Sequence, residues 1–567
     1  MKPLLVFLSL LLAAPGRPTS AGEAAPVAES PIRFTDVTPS TGITFVHTDG
    51  SSGRRYIVET VSAGLASFDY NGDGRIDLLF LNGAPLPGAD TNAAPTCHLY
   101  RNEGGWRFTD VTREAGLEVT CYALGVAVGD FDNDGWPDVY LNNFGTNRLL
   151  RNTGDGRFVD VTARAGVADV PHVGAGAVFF DADGDGDLDL YSGHYVDFSY
   201  EKHQVVRFNG FPAYVGPMNY PTTASRFFRN NGDGTFTDAS AESGIAAHSG
   251  AAMGVVAGDF DDDGDEDLLV GNDECGNFLF LNDGRGRFRE AGLMSGIAFD
   301  FHGQAHGTMG VDCGDYDNDG RLDAYMTSYQ RESPVLFRNL GKGHFQDVTA
   351  PTGAGAGMVP LVTWGCALAD LDNDGWRDLF VAAGHLQDNV EQFDTSTSYR
   401  QRNQVLRNLG QGRFANVTAQ SGDGLAEVWS SRGAVLDDLD NDGDLDVVIL
   451  NARRAPTVLC NDTKTPHHWL QLELRGVKSN RGAVGARVRV TAGGLTLVDE
   501  VHAGRGYQSH FGTRLHFGLG AHTAVDQLEI RWPGQGTNLV RVPAVDRRFI
   551  VTEGADRAVE PPSASKP

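Results

Sequence analysis

From about residue 33 to residue 465 the chain is written in short alternating runs of apolar and polar residues, broken by glycine-rich turns. The stretches "LYRNEGGWRFTDVTREAGL", "LLRNTGDGRFVDVTARAGV", "FFRNNGDGTFTDASAESGI", "LFRNLGKGHFQDVTAPTGA" and "VLRNLGQGRFANVTAQSGD" each read as two short strands joined by a tight turn. Ahead of each lies an apolar run, an acidic loop and a second apolar run. Every repeat therefore predicts four strands.

The acidic loops set the period. Asp69, Asp130, Asp181, Asp259, Asp315, Asp370 and Asp438 each open the pattern D-x-[DN]-x-D-G-x-x-D, at spacings of 61, 51, 78, 56, 55 and 68 residues. Seven four-stranded units predict an all-β fold, a seven-bladed β-propeller over residues 32–466. The seventh repeat has no F-x-D-V-T strand after "TVLCN", and the missing strand stands at the other end of the chain as "RFTDVT" (33–38). An N-terminal strand over residues 32–38 would complete the last blade and leave no open edge.

Residues 467–553 alternate as "LQLEL", "ARVRV", "LTLVDEV" and "QLEIRW", which predicts a small antiparallel β-domain. Residues 1–21 carry one Lys, an apolar run from Leu4 to Ala14 and then small residues and prolines, the pattern of a secretory signal peptide. A linker over 22–31 and a disordered tail over 554–567 complete the expected organisation. No later run is long and apolar enough to span a membrane.

Charge narrows the partners. A formal net charge of −28 opposes binding to nucleic acid or anionic membranes. Six cysteines in 567 residues are too few for a disulfide scaffold. Cys313 and Cys366 lie in apolar strand patterns and read as buried fillers, while Cys97 and Cys121 are the expected pair.

Carboxylates packed this densely repel one another unless a cation lies among them. Oxygen ligands at loop positions 1, 3, 5 and 9, with Gly at position 6 for the turn, suit Ca²⁺ better than Mg²⁺, which keeps more of its water. The candidate ligands are Asp69, Asn71, Asp73 and Asp77; Asp130, Asp132, Asp134 and Asp138; Asp181, Asp183, Asp185 and Asp189; Asp259, Asp261, Asp263 and Asp267; Asp315, Asp317, Asp319 and Asp323; Asp370, Asp372, Asp374 and Asp378; and Asp438, Asp440, Asp442 and Asp446. Up to seven Ca²⁺ ions are expected. Position 12, where an EF-hand places Glu, holds Phe80, Leu141, Ser192, Val270, Met326, Val381 and Ile449, so each loop runs straight into a strand.

These repeats resemble the FG-GAP/VCBS propeller repeats of the integrin α-chain type. The motifs Ser479-Asn480-Arg481, Gly485-Ala486-Arg487, Gly504-x-Gly506-Tyr507, Phe517-Gly518-Leu519-Gly520 and Trp532-Pro533 resemble the ASPIC/UnbV domain that follows such propellers in the cartilage acidic protein 1 family. His510 stands where that motif leads one to expect Gln. The resemblance implies a calcium-binding, extracytoplasmic interaction protein, and the absence of a Cys-rich EGF-like module points to an exported bacterial member.

No nucleophile elbow, metalloprotease helix or phosphate loop is found. If the Asp loops occupy one face, the residues ahead of each first strand belong to the other, near the axis. Those are Tyr122, His172, His248, His302, His306, Trp364 and Trp429, the candidate ligand-binding set. His302 and His306 are spaced as helical metal ligands, but their context is a loop. Long connections between second and third strands open on the same face, as the functional surfaces of repeat proteins do. Two classes of function remain. One is a secreted, periplasmic or cell-surface adhesion module that binds a glycan or protein through this face and the C-terminal domain; the alternative is a hydrolase or lyase with its active site at the His-rich axial mouth.

Overall fold

A computed structural model of the chain describes residues 30–90 and 95–561. The leader (1–21), most of the linker and residues 562–567 lie outside the described residues. Strands dominate, and no helix among the described residues is long and apolar enough to cross a membrane.

Seven four-stranded antiparallel units follow one another. Their innermost strands are Leu65–Phe68, Ala123–Gly129, His172–Phe180, Ala252–Gly258, Val311–Gly314, Thr363–Ala369 and Ser431–Asp437, here called blades 1 to 7. Each innermost strand lies against that of the next blade, and blade 7 returns to blade 1. The ring is a propeller. Blades 2 and 3 are joined further, because His172 and Val173 pair with Gly145 and Phe144.

The ring closes on the N-terminal strand. Phe34–Asp36 pairs antiparallel with Thr457–Asn461, and Phe34 is fully buried. Burying a phenylalanine stabilises by about 1.5–3 kcal/mol, and an unpaired strand edge invites association. A chain beginning at Thr41 should therefore aggregate, or melt below one beginning at Glu23, in a thermal scan with light scattering. Equal melting and equal scattering would mean that this strand does not hold the ring.

A glycine stands five residues before the first Asp of every loop: Gly64, Gly125, Gly176, Gly254, Gly310, Gly365 and Gly433. At Gly125 and Gly310 this lets neighbouring inner strands touch backbone to backbone. A Cβ on Gly125 would lie 2.0 Å from the Ala175 carbonyl oxygen, and one on Gly310 would lie 2.0 Å from that of Trp364. Such approaches exclude any side chain.

The C-terminal domain is a sandwich of two sheets. One orders Leu515–Gly520, His468–Arg475 and Arg547–Thr552; the other orders Leu495–Glu500, Arg487–Ala492, Gln527–Arg531 and Thr537–Val540. Its core includes Leu470, Leu472, Val488, Val490, Phe517, Ile530, Trp532 and Phe549. Two expectations are corrected here. The pairing of His468–Arg475 with Arg547–Thr552 is parallel, because the chain crosses to the other sheet between them. Residues 554–561 are not a disordered tail: Ala558 is buried in the sandwich core, and Val559 N–H donates to the Ile550 carbonyl at 3.0 Å.

Cys313 and Cys366 are buried in inner strands. Cys97, buried, and Cys121, half-buried, are both free thiols, and the Cys121 thiol beside it holds Cys97 below the ordinary thiol value.

Candidate functional site

Each Asp loop is curled by its own carboxylates. In blade 2, Asp130 accepts the backbone N–H of Asp134 (3.0 Å) and Gly135 (2.7 Å), and Asp138 accepts those of Phe131 (3.1 Å) and Asn152 (2.7 Å). Position 4 is left-handed in every loop, at Gly72, Asn133, Gly184, Asp262, Asn318, Asn373 and Asn441. Only Gly, Asn or Asp takes that conformation readily. The curl converges the side chains at the head of the loop. One ligand oxygen from each of Asp130, Asp132 and Asp138 lies within 4.8 Å of the others, and Asp315, Asp317 and Asp323 form the same grouping. In blades 3 and 4 the grouped residues are Asp181, Asp183 and Asp185, and Asp259, Asp261 and Asp263.

Burial, reinforced by the neighbouring carboxylates, pushes Asp130 up to about 7 and Asp181 and Asp315 up to about 6. One oxygen at position 3 is buried without any hydrogen-bond donor in four loops: Oδ1 of Asp132, Asp183, Asp317 and Asp372. A buried carboxylate oxygen without a partner is costly. A hard cation held by oxygen ligands is the chemistry that satisfies it, so the residues present fit such an ion.

Arginines hold the outer oxygens of the same residues. Arg151 pairs with Asp132 and Asp134, Arg338 with Asp317 (2.7 Å) and Asp319 (3.1 Å), and Arg407 with Asp372 (2.7 Å) and Asp374 (3.0 Å). Each is the Arg of an "RN" pair on the third strand, where local alternation marks it only as a strand residue. Blades 4 and 7 carry Leu281 and Cys460 there instead. In these two the C-terminal domain reaches the first Asp of the loop instead: Arg531 pairs with Asp259, and Gln471 Nε2 donates to Asp438 Oδ2 at 2.8 Å.

The C-terminal domain thus covers the Asp-loop face. The Asn at position 4 binds it and the next blade together. Asn373 Nδ2 donates to Asp444 Oδ1 (2.7 Å) while its Oδ1 accepts from His516 Nε2 (2.7 Å); Asn133 does the same with Asp187 (2.8 Å) and the Arg481 N–H (2.9 Å).

The segment 501–512 of this domain then enters the propeller axis and meets all seven blades. It exchanges backbone hydrogen bonds with Leu65 and Ser67, Val126, Phe179 and Val311, and accepts or donates through side chains at Ala257 and Asp437. Arg505 Nε donates to Asp312 Oδ1 at 2.6 Å, and both residues are buried. Tyr507 bonds the Val61 carbonyl (2.9 Å) and packs edge-on against Trp364, with centroids 5.0 Å apart. His510 is fully buried with neither ring nitrogen hydrogen-bonded, and burial lowers it to about 3.

The opposite mouth is closed as well. The blade-3 excursion between His194 and Arg226 crosses the axis, where Tyr214 bonds Glu59 (2.9 Å), Arg453 (3.0 Å) and both sides of the Gln387 amide (2.8 Å each). Tyr507, Trp364 and Arg432 fill the axis beneath that cover.

This packing corrects the expected ligand surface. Tyr122, His172 and Trp364 are buried; Tyr122 and Trp364 belong to the apolar core around Tyr507. Residues ahead of an inner strand point to the axis, and here the axis is solid. His248 is half-buried against Phe278 and Phe280, and Trp429 is half-buried between Arg400 and Arg454. Only His302 and His306 of the set line an open cleft, of about 980 Å³, at the blade-5 edge of that face. Its walls include Asp300, Phe301, Arg331 and Glu332; His306 Nε2 is 3.2 Å from Asp300 Oδ2, and Phe301 is 76% exposed.

A model of the FG-GAP-like repeat matches residues 69–141, 130–192, 214–270, 259–326, 315–381 and 394–449, and that of ASPIC and UnbV matches residues 476–558. Cartilage acidic protein 1 of Homo sapiens is 27% identical over 305 residues, covering 52% of this chain and 43% of that protein. The Xenopus tropicalis protein of the same name is 24% identical over 437 residues, covering 72% and 61%. The chain spans about half the length of these relatives. Among solved structures, the rhamnogalacturonan lyase YesW aligns at 13% identity and a TM-score of 0.38 over 77% of this chain and 76% of its own. BBS1N, solved in complex with ARL6DN, aligns at 10% and 0.41 over 77% and 99%.

Proposed function

We propose, given that this chain belongs to the FG-GAP-like repeat family and carries an ASPIC and UnbV domain, that it is an exported calcium-binding interaction protein. The observation that carries the calcium assignment is the buried, unpartnered oxygen at position 3 of four all-oxygen loops. Positions 1, 3, 5 and 9 would hold the ion, and its two positive charges would offset the repulsion among them. Position 1 and position 9 carboxylates keep the loop curled through their backbone hydrogen bonds, and the "RN" arginines orient position 3. The leader sequence supports export, where calcium is abundant.

For the partner, a protein or glycan, the blade-5 cleft is the surface we favour. It combines an exposed ring at Phe301, imidazoles at His302 and His306 and both charge signs at Arg331 and Glu332, which suits flat apolar area with directional hydrogen bonds. Replacing Phe301 and His302 together by Ala should reduce binding more than about tenfold on a glycan or secreted-protein array, the size of loss expected for an interface anchor. The melting temperature should not move, since both side chains are exposed. Unchanged binding in this variant would move the recognition surface elsewhere.

A further inference from the structure

Away from the Asp loops, one side-chain cluster has the chemistry of a transition-metal site. Asp169 occupies the turn leading from blade 2 into blade 3, in a left-handed conformation at φ 54°. Beside it stand His172, the first residue of the blade-3 inner strand, and His194, the last residue of the second strand. Asp169 Oδ2 lies 2.8 Å from His194 Nε2 and 3.8 Å from His172 Nδ1. The side chains of Asp169, His172 and His194 are 3%, 6% and 4% exposed, so water cannot do what a ligand would. The two imidazoles stack with centroids 3.5 Å apart.

The surrounding hydrogen bonds decide where protons sit. Asn142 Nδ2 donates to the Ala175 (3.0 Å) and Gly193 (2.8 Å) carbonyls, which turns its Oδ1 to His172 Nε2 at 3.2 Å. That oxygen only accepts, so Nε2 carries the proton. The Nδ1 lone pair is then aimed at the Val170 carbonyl oxygen, 2.6 Å away, with the Asp169 carboxylate behind it. Lone pairs this close repel unless a proton or a metal cation lies among them. A second proton would make His172 a buried cation stacked 3.5 Å from a second imidazole, which is costly. Arg226 Nε, 3.3 Å from Asp169 Oδ1, occupies the other carboxylate oxygen and leaves Oδ2 free to point inward.

We propose that Asp169 Oδ2, His172 Nδ1 and His194 Nε2 bind one divalent transition-metal ion of the zinc class, with the Val170 carbonyl beside them. Two neutral imidazoles and one carboxylate are ligands for zinc, whereas calcium takes oxygens, so this site is chemically independent of the loops. It ties the turn between blades 2 and 3 to the root of the excursion that covers the axis, because that excursion begins directly after His194.

The test uses the full chain kept in saturating Ca²⁺, stripped of zinc with a zinc-selective chelator and then titrated with Zn²⁺ against a chromophoric chelator, with Co²⁺ as a spectroscopic substitute. One equivalent of zinc should bind, with X-ray absorption at the zinc edge reporting two imidazole nitrogens at about 2.0–2.1 Å. His194→Ala and Asp169→Asn should weaken binding by at least about 100-fold, more than an outer-sphere partner accounts for. Arg541→Ala, at an exposed ion pair far from both kinds of site, should leave the zinc titration unchanged. Absence of stoichiometric zinc in the wild-type chain, an edge spectrum without two imidazoles, or wild-type affinity in His194→Ala would each overturn the assignment. The wild-type edge spectrum decides the matter even where a variant fails to fold.

Discussion

Stripping calcium from the chain should lower its melting temperature by tens of degrees or abolish the folded state. Sites of the extracellular type bind at about 0.1–1 mM. At a tenfold excess of ligand each contributes roughly 1.4 kcal/mol by mass action. Several loops together then rival the stability of a whole domain, about 5–15 kcal/mol. The effect should reach the C-terminal domain too, since Gln471, Arg531 and His516 bond to the loops themselves. A calorimetric scan in excess EGTA, with loss of calcium verified by elemental analysis, checks this. An unchanged melting curve after verified loss would sink the calcium assignment.

Nearly as large an effect is expected from the axis. Tyr507→Ala should cost about 3–5 kcal/mol, the range for deleting a large aromatic ring from a core. Arg505→Ala should cost about 3–5 kcal/mol by a different route, because it leaves Asp312 buried and unpaired. Burial already pushes Asp312 above the ordinary carboxylate range with the guanidinium in place. Both substitutions lie in the C-terminal domain, yet both should lower the denaturation midpoint of the propeller, read by urea titration in saturating calcium. Arg541→Ala, at an ion pair 76% and 81% exposed, should stay within about 0.5 kcal/mol of wild type. A wild-type midpoint for Tyr507→Ala would mean that the axial segment does not hold the ring together.

Tyr122, His172 and Trp364 were expected to present a ligand surface because they precede inner strands, and that placement toward the axis is what the structure has. For Tyr122 and Trp364 the meaning is changed by residues 501–512, more than a hundred positions later, whose Tyr507 packs into the same core; His172 is instead buried against Asp169, His194 and Asn142. The motif Gly504-x-Gly506-Tyr507 was visible, but nothing in its spacing says that it inserts into another domain. The "RN" arginines and the position 4 Asn were equally visible. Their partners are carboxylates and carbonyls on neighbouring strands and blades, which no local pattern names.

Local physics settled whatever the chain repeats. Period-two alternation, the turn glycines and the D-x-[DN]-x-D-G-x-x-D loops determined strands, blades and the position of every clustered carboxylate, because each of these depends on residues within about a dozen positions. The glycine five residues before each loop repeats as regularly, although its reason is tertiary: Gly125 and Gly310 are bare so that the next blade's backbone can touch them. Only the folded ring decided which face stays open. A closed ring creates one axis shared by all seven blades, and the burial of apolar surface favours filling it. The chain fills it with Tyr507 from one end and covers it with Tyr214 from the other, so an axial mouth that looked functional in one dimension is core in three.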